Sequence, residues 1–157
     1  MTGGRRAALA GALAKFSAAS EAIKVAADPI ALVGRALMAA LFLNEGVAKI
    51  RDLAGTADYM RSFGVWPELA PLVVLVEVGG GLLILFGLMT RLAAVGLAVY
   101  TLLAAVFFHM NFADADQFIH FQKNMAIAGG FLALAAFGPG DWSLDAWIAN
   151  RGADCDG

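Results

Sequence analysis

A small set of polar residues interrupts long apolar segments of this sequence, and these residues are the candidates for chemistry. They are Asn44, Glu45, Lys49, Glu77, His109, Lys123 and Asn124. Ionisable groups in an apolar, membrane-like segment are costly unless they are paired or hydrated, so such positions are often functional. Burial favours the neutral form of a carboxyl, which suits Glu77 to proton exchange, and the imidazole of His109 can accept or donate a proton. Lys49 or Lys123 would stabilise an anionic ligand.

The elements that carry these residues are typical of membrane helices. The chain is 61% hydrophobic and only 15% charged, with a mean hydropathy of +0.74. Four apolar stretches approach the length of about 20 residues that a helix needs to cross a bilayer. They run from Pro29 to Lys49, from Leu69 to Met89, from Arg91 to Met110 and from Asn124 to Pro139. We therefore predict an all-α, polytopic membrane protein built as a four-transmembrane-helix bundle. A soluble bundle is the alternative, but these stretches are apolar on all sides rather than on one stripe.

Three regions are expected along the chain. Residues 1–28 place apolar side chains on one helical face and cations largely off it, which predicts an amphipathic helix at the membrane interface. A signal peptide is the alternative interpretation of this segment. Residues 29–145 form the membrane domain, and residues 146–157 are a C-terminal tail. In the loop before the second stretch, Thr56 is expected to cap a short helix that ends at Gly64.

The distribution of Lys and Arg predicts the orientation of the chain. These residues are more frequent on the side of the N-terminal segment, the 88–91 hairpin and the tail, so both termini are expected in the cytoplasm. A helix rises about 1.5 Å per residue, so all the polar candidates then fall in the outer half of the bundle and are expected to form one cluster. Arg35 lies about 15 Å from Glu45 along the first helix and is expected to extend to the inner headgroups.

Three consecutive glycines, Gly79 to Gly81, follow Glu77. Glycine lets a flat ligand or a neighbouring backbone approach closely, so Gly80 and Gly81 are candidate ligand contacts, with close helix packing as the alternative. Glu77 itself has two interpretations that the sequence leaves open. It is either a proton-exchanging group or a structural group that is ion-paired to a neighbouring helix.

Other kinds of function find little support in the sequence. The net charge of -2 and the lack of a basic stripe argue against nucleic-acid binding. Cys155 is the only cysteine, which excludes a dithiol redox pair within the chain. His109 and His120 have no diagnostic ligand spacing, so no metal site is predicted. No nucleophile motif, P-loop or dinucleotide fingerprint is present, so no intrinsic cofactor is expected.

Taken together, the motifs resemble the DoxX family of small bacterial membrane proteins over Ile30 to Asp145. The resemblance rests on Gly34-Arg35 with Phe42, Gly46, Lys49 and Ile50, on Glu77 to Leu82 through Gly87 to Arg91, on Phe107 to His109, on Lys123 to Gly130 and on Ser143 to Asp145. It implies a four-helix bundle in the inner membrane with both termini inside. It also implies association with respiratory or sulfur-compound redox systems, quinone reduction among them, or with oxidative-stress assemblies.

Two function hypotheses follow. In the first, the protein is a quinone-linked subunit of a membrane-bound oxidoreductase: a quinone binds at the outer cluster, Glu77 and His109 exchange protons with it, and a partner protein donates electrons. In the second, the protein is a non-catalytic anchor or assembly subunit of a larger membrane complex. A small transporter is a third alternative, which four helices without a visible inverted repeat support poorly. The sequence is also compatible with a homo-oligomer.

Overall fold

The computed structural model describes residue 13, residues 15–17 and residues 20–155, and over these residues the chain is helical with short connections. The helices are α1 (Ala27–Arg51), α2 (Leu53–Ser62), α3 (Ala70–Phe86), α4 (Thr90–Phe108), α5 (Ala115–Phe137) and α6 (Leu144–Cys155), with a 3-10 turn at Pro67–Leu69 before α3. The all-α prediction is confirmed. More than half of the predicted amphipathic segment, residues 1–28, lies outside the described residues. The residues of this segment that the structure describes are helical except for a turn at Ala26.

Of the described helices, three are long and apolar enough to cross a membrane. They are α1, α3 with its preceding 3-10 turn, and α4, with mean hydropathies of 1.5, 2.4 and 2.0. Helix α5 has 23 residues, but its first turns are polar. That α5 crosses the membrane therefore remains a prediction. The helix begins nine residues before the predicted start at Asn124, so residues 115–123 are helical rather than part of the connection between the third and fourth stretches. The Asp114 carboxylate caps it by accepting hydrogen bonds from the backbone N–H groups of Asp116 and Gln117.

The helices pack in the order α1, α3, α4, α5, each against the next. The core between them is built mainly from small or branched apolar residues, which allow the helix backbones to approach closely. Its buried members are Ala39, Phe42, Ile84, Ala94, Leu97, Ala98, Ala128 and Phe131. Larger apolar side chains such as Leu37, Leu75 and Leu92 are at least 66% exposed on the outside of the bundle. This arrangement suits a bundle surrounded by lipid rather than water.

The two ends of the bundle differ. One end, here called the hairpin end, carries the turn between α3 and α4. The opposite end, the α2 end, carries the short helix α2. The Asp52 carboxylate caps α2 by accepting a hydrogen bond from the Gly55 N–H at 2.9 Å, so the predicted cap at Thr56 was wrong. Gly64 follows the helix with a φ of +73°, as expected of a glycine after a helix C-terminus.

A set of long-range hydrogen bonds closes the hairpin end. The Asp145 carboxylate accepts hydrogen bonds from the Met89 N–H at 2.7 Å and the Thr90 N–H at 2.8 Å, where α4 begins. The Asp145 N–H donates to the Gly87 carbonyl at 2.8 Å. Asp145 therefore caps α4 from a distant part of the chain and joins α6 to the α3–α4 turn. We call Arg35, Gly87, Trp142 and Asp145 together the latch.

Arg35 is the centre of the latch, and its predicted extension to the headgroups was wrong. Its side chain is only 1% exposed and donates a hydrogen bond to the Trp142 carbonyl. Gly87 makes room for it, because a Cβ at that position would overlap the guanidinium. Gly87 also has a φ of +68°, which a glycine adopts without strain. The sequence pattern placed Arg35 near a membrane surface, but the segment after α5 folds over it and buries it.

Candidate functional site

A cavity of about 760 Å³ lies among the helices at the α2 end. Most of the predicted site residues line it: Glu45, Lys49, Glu77, His109, Lys123 and Asn124. They come from α1, α3, the C-terminus of α4 and α5, so the tertiary structure does bring the predicted cluster together. The remainder of the wall is mostly apolar, which is the usual composition of a small-molecule site with a few polar groups for orientation.

Aromatic side chains border the cavity on both sides along the bundle axis. Toward the hairpin end, Phe42 packs edge-on against Phe131, with ring centroids 5.2 Å apart, and against Tyr100 at 6.3 Å. Toward the α2 end, Tyr59 stacks on Phe108 with ring centroids 5.5 Å apart. Edge-to-face and offset contacts of this kind add to the stability that burial provides. The cavity therefore has an aromatic floor in mid-bundle and a partly aromatic roof.

The polar groups on one wall form a continuous series of contacts, which we call the carboxylate–lysine chain. The Tyr100 hydroxyl donates a hydrogen bond to Glu77 Oε1 at 2.6 Å. The Lys49 ammonium lies 3.0 Å from Glu77 Oε2 and 3.1 Å from Glu45 Oε2. Glu45 and Lys49 are four residues apart in the chain and therefore lie on one face of α1. Tyr100 was missed, although its hydroxyl in an apolar helix was the available signal.

The close approach of α1 and α3 positions this chain. A Cβ on Gly46 would lie 2.6 Å from Val78 Cγ2 and 3.2 Å from Glu77 Cβ, so only glycine allows the two helices to pack this tightly. The contact brings Lys49, three residues later and one turn further along α1, to Glu77. Two carboxyls then face one ammonium. When both carboxyls are ionised, the group carries a net negative charge, and uptake of one proton makes it neutral.

The opposite wall carries two histidines. His109 Nδ1 lies 2.7 Å from Gln117 Oε1, and the His109 and His120 rings stack with centroids 5.1 Å apart. With the amide oxygen as acceptor, Nδ1 of His109 carries the hydrogen, which leaves Nε2 available to accept a proton. Over the part of the chain that the structure describes, no group of three or more His, Cys, Asp or Glu side chains is arranged to hold a metal ion.

Three predicted ligand contacts lie outside the cavity lining. Asn44 is exposed on the surface of α1 and does not line the cavity, because consecutive residues of a helix, here Asn44 and Glu45, face different directions around its axis. Gly80 and Gly81 are helix-packing positions. A Cβ on Gly80 would lie 2.8 Å from Leu97 Cδ2, and one on Gly81 would lie 3.1 Å from Leu43 Cδ2. These contacts favour the packing interpretation of the glycines over a ligand contact.

Comparison with known proteins identifies the family. The DoxX family profile matches residues 30–110. The chain belongs to the DoxX family. It is 51% identical over 114 residues to the Escherichia coli (strain K12) inner membrane protein YqjF, covering 73% of this chain and 88% of that protein. It is 40% identical over 128 residues to the inner membrane protein YphA of the same strain, covering 76% and 91%.

A more distant relative is CatD of Bacillus subtilis (strain 168), which is provisionally named an oxidoreductase. It is 30% identical over 114 residues, covering 68% of this chain and 84% of CatD. No solved structure matches the chain significantly. The inner-membrane relatives and the apolar helices together make this chain a bacterial inner-membrane protein.

Proposed function

We propose that this DoxX-family protein binds a quinone headgroup in the cavity and is the quinone-linked subunit of a membrane-bound oxidoreductase. The observation that carries the proposal is Glu77, a buried residue whose carboxyl accepts a hydrogen bond from Tyr100 and is paired with Lys49 on the wall of a largely apolar cavity. A lipid-soluble ring with oxygens that take up and release protons suits this combination. The oxidoreductase name of CatD agrees with it.

The residues have distinct roles in this proposal. A quinone supplies reversible electron transfer when it is bound, and a partner protein supplies the electrons. Glu77 exchanges a proton at one ligand oxygen, and His109 Nε2 does so on the opposite wall. Lys49 and Lys123 stabilise negative charge on the ligand, and the Asn124 amide orients it by hydrogen bonding.

We also propose that α5 is the fourth membrane span and that the hairpin end faces the cytoplasm. Helix α5 follows α4 over its full length, because contacts join the two at both ends. At the hairpin end, Arg91 Nη1 donates to the Ala135 carbonyl at 2.8 Å and the Ala136 carbonyl at 2.7 Å, and at the α2 end His109 bonds Gln117. A helix that accompanies a spanning helix end to end crosses the same thickness. The Lys and Arg distribution then places both termini inside.

The second candidate is a non-catalytic anchor or assembly subunit, and one observation favours it. Glu77 makes contacts that join α3 to α1 through Lys49 and to α4 through Tyr100. Such cross-helix polar contacts also stabilise membrane bundles that have no ligand. In this alternative the chain recruits a partner protein, and the cavity holds only lipid.

Mass spectrometry of the protein purified in mild detergent distinguishes the two candidates. Co-purified quinone in the wild type, lost in Glu77→Gln and retained in Glu68→Gln, would support the redox proposal. The glutamine at position 77 keeps an acceptor for the Tyr100 hydroxyl but cannot exchange a proton, and Glu68 is an exposed carboxylate that controls for lost charge. A stoichiometric partner without any quinone would contradict the proposal and favour the second candidate.

A matched pair of asparagines tests the position of the ligand. Asn124→Ala is expected to weaken binding of added ubiquinone-1 or menadione about tenfold, the value of one lost hydrogen bond. Asn44→Ala is expected to leave binding unchanged, because that side chain is exposed outside the cavity. Equal effects of the two substitutions would contradict the assignment of the cavity as the site.

A further inference from the structure

The groups of the carboxylate–lysine chain become steadily more exposed from Glu77 through Lys49 to Glu45, and all three line the cavity together with residues of α2 and the start of α5. The exposed fraction of the side chain is 6% at Glu77, 24% at Lys49 and 60% at Glu45. The Lys49 nitrogen lies 3.0 Å from Glu77 Oε2 as an ion pair and donates a hydrogen bond to Glu45 Oε2 at 3.1 Å, so reorientation of the Lys49 side chain would pass a proton between the two carboxyls. We infer that Glu77, Lys49 and Glu45 are a proton route, and that Glu77 exchanges protons with the compartment at the α2 end only. The route stands on this geometry, and its use during turnover rests on the proposed quinone site.

Close apolar packing separates Glu77 from the hairpin end. Beyond Glu77 along α3, Gly80 packs against Leu97 and Gly81 against Leu43. The buried residues that follow toward the hairpin end are mostly apolar, and the buried polar residues Arg35 and Thr90 lie at the hairpin end itself. The Thr101 hydroxyl, which is buried nearby, donates to the Leu97 carbonyl of its own helix at 2.7 Å. A proton cannot cross a layer of packed apolar side chains without a polar group or water to carry it.

The transfer balances without any electron movement along the route. A proton leaves a ligand hydroxyl and forms an O–H bond on the Glu77 carboxylate. The Lys49 ammonium then gives a proton to the Glu45 carboxylate, and the resulting amine takes the proton from Glu77. Glu45 releases its proton to water that enters the cavity from the side of α2 and the start of α5. Each group returns to its starting state, and the net change is one proton moved from the ligand to the solvent; the reverse sequence delivers a proton.

Other titratable groups also face this cavity and share its electrostatic field. They are Tyr59 on α2, Tyr100 on α4, His109 at the end of α4, and His120 and Lys123 on α5. Of these, Tyr100 contacts Glu77 directly, and its hydroxyl serves as a hydrogen-bond donor. The histidines lie toward the α2 end with Lys123, so they belong to the same side of the apolar layer as Glu45. These groups therefore add proton acceptors on the α2 side of the apolar layer, and none of them lies on its hairpin side.

Time-resolved infrared spectroscopy on proteoliposomes of measured orientation tests the inference. The protein is the full chain without added quinone, and the signal is the carbonyl band of protonated Glu77, assigned by its loss in Glu77→Gln. After a pH jump on one side, the band is expected to follow the pH at the α2 end and to ignore the pH at the hairpin end. Glu45→Gln should slow the response about 100-fold, the low end of the contribution of a positioned acid–base group. Glu68→Gln, the same charge change on an exposed residue, should leave the rate unchanged.

Each other outcome overturns the inference. A band that follows the pH at the hairpin end, an unchanged rate in Glu45→Gln, or a Glu77 band that does not respond to the pH on either side would each refute it. Lys49→Gln provides a second interruption of the route if Glu45→Gln folds poorly. The test is independent of ligand binding. If Glu77 responds only to the pH at the α2 end but the protein binds no quinone, the proton route is supported and the proposed function is refuted. If the protein binds quinone but Glu77 responds to the pH at the hairpin end, the proposed function is supported and the proton route is refuted.

Discussion

Removal of the Asp145 carboxylate is expected to loosen the hairpin end by a measurable amount. The carboxylate accepts two backbone hydrogen bonds, from Met89 and Thr90, and hydrogen bonds to a charged group contribute about 1.5–3 kcal/mol each. Water reaches part of this site in the variant, because Met89 is 56% exposed, so the two losses are not fully additive. We therefore expect Asp145→Ala to lower the free energy of unfolding by about 2–3 kcal/mol. Asp145→Asn, which keeps one acceptor, should lower it by about half as much.

Unfolding of the purified protein by titration with SDS, followed by helical circular dichroism, measures this effect. The matched control is Asp141→Ala, four residues earlier in the connection that precedes α6, where the side chain is exposed and the backbone N–H makes the hydrogen bond to Asp28. The control should change the free energy of unfolding by less than about 0.5 kcal/mol. If Asp141→Ala and Asp145→Ala have equal effects, Asp145 does not cap α4 as described.

The stabilisation that Asp145 provides is also expected to depend on pH. Burial alone would raise the pKa of the Asp145 carboxyl, but hydrogen bonds from Thr90 and from the Met89 N–H, with the charge of Arg35, outweigh it and hold that pKa below its ordinary value. A carboxyl with a lower pKa in the folded state stabilises the fold above its unfolded pKa of about 3.9, and this contribution is lost as the pH falls through the folded value. The stability difference between wild type and Asp145→Ala should therefore narrow below about pH 4. A difference that stays constant would contradict this account.

Three further predictions follow. Gly80→Ala should lower the free energy of unfolding by about 1–3 kcal/mol in the same SDS titration, because the new methyl group meets Leu97. The control Gly129→Ala should be neutral or slightly stabilising, because nothing lies within 4 Å of a Cβ at that position. Arg35→Leu should cost about 2–4 kcal/mol because the Trp142 carbonyl loses its donor, and its combination with Asp145→Asn should cost less than the sum of the two. Cys155 in spheroplasts should react with an impermeant maleimide only after lysis, and labelling of intact spheroplasts would contradict a cytoplasmic C-terminus.

Much of the candidate site could be predicted because it depends on local pattern. Helical rise fixes the depth of each residue once the ends of a helix are known, so Glu45, Lys49 and Glu77 could be assigned to one level of the bundle. The spacing of four between Glu45 and Lys49 also fixes their common face. Depth alone does not fix direction around the helix axis. For this reason Asn44 was grouped with the cluster, although the structure leaves it exposed on the outside of α1.

The family and the apolar helices were thus determined by the sequence itself, since composition, hydropathy and the order of short motifs are properties of the chain alone. The tertiary structure decided which polar groups meet. Tyr100 reaches Glu77 only because α3 and α4 pack together, and Lys49 reaches it only because Gly46 lets α1 approach. Arg35 is buried because Trp142, 107 residues later, supplies a carbonyl above it. Such contacts join residues distant in sequence, and their geometry depends on how the helices rotate and pack against one another.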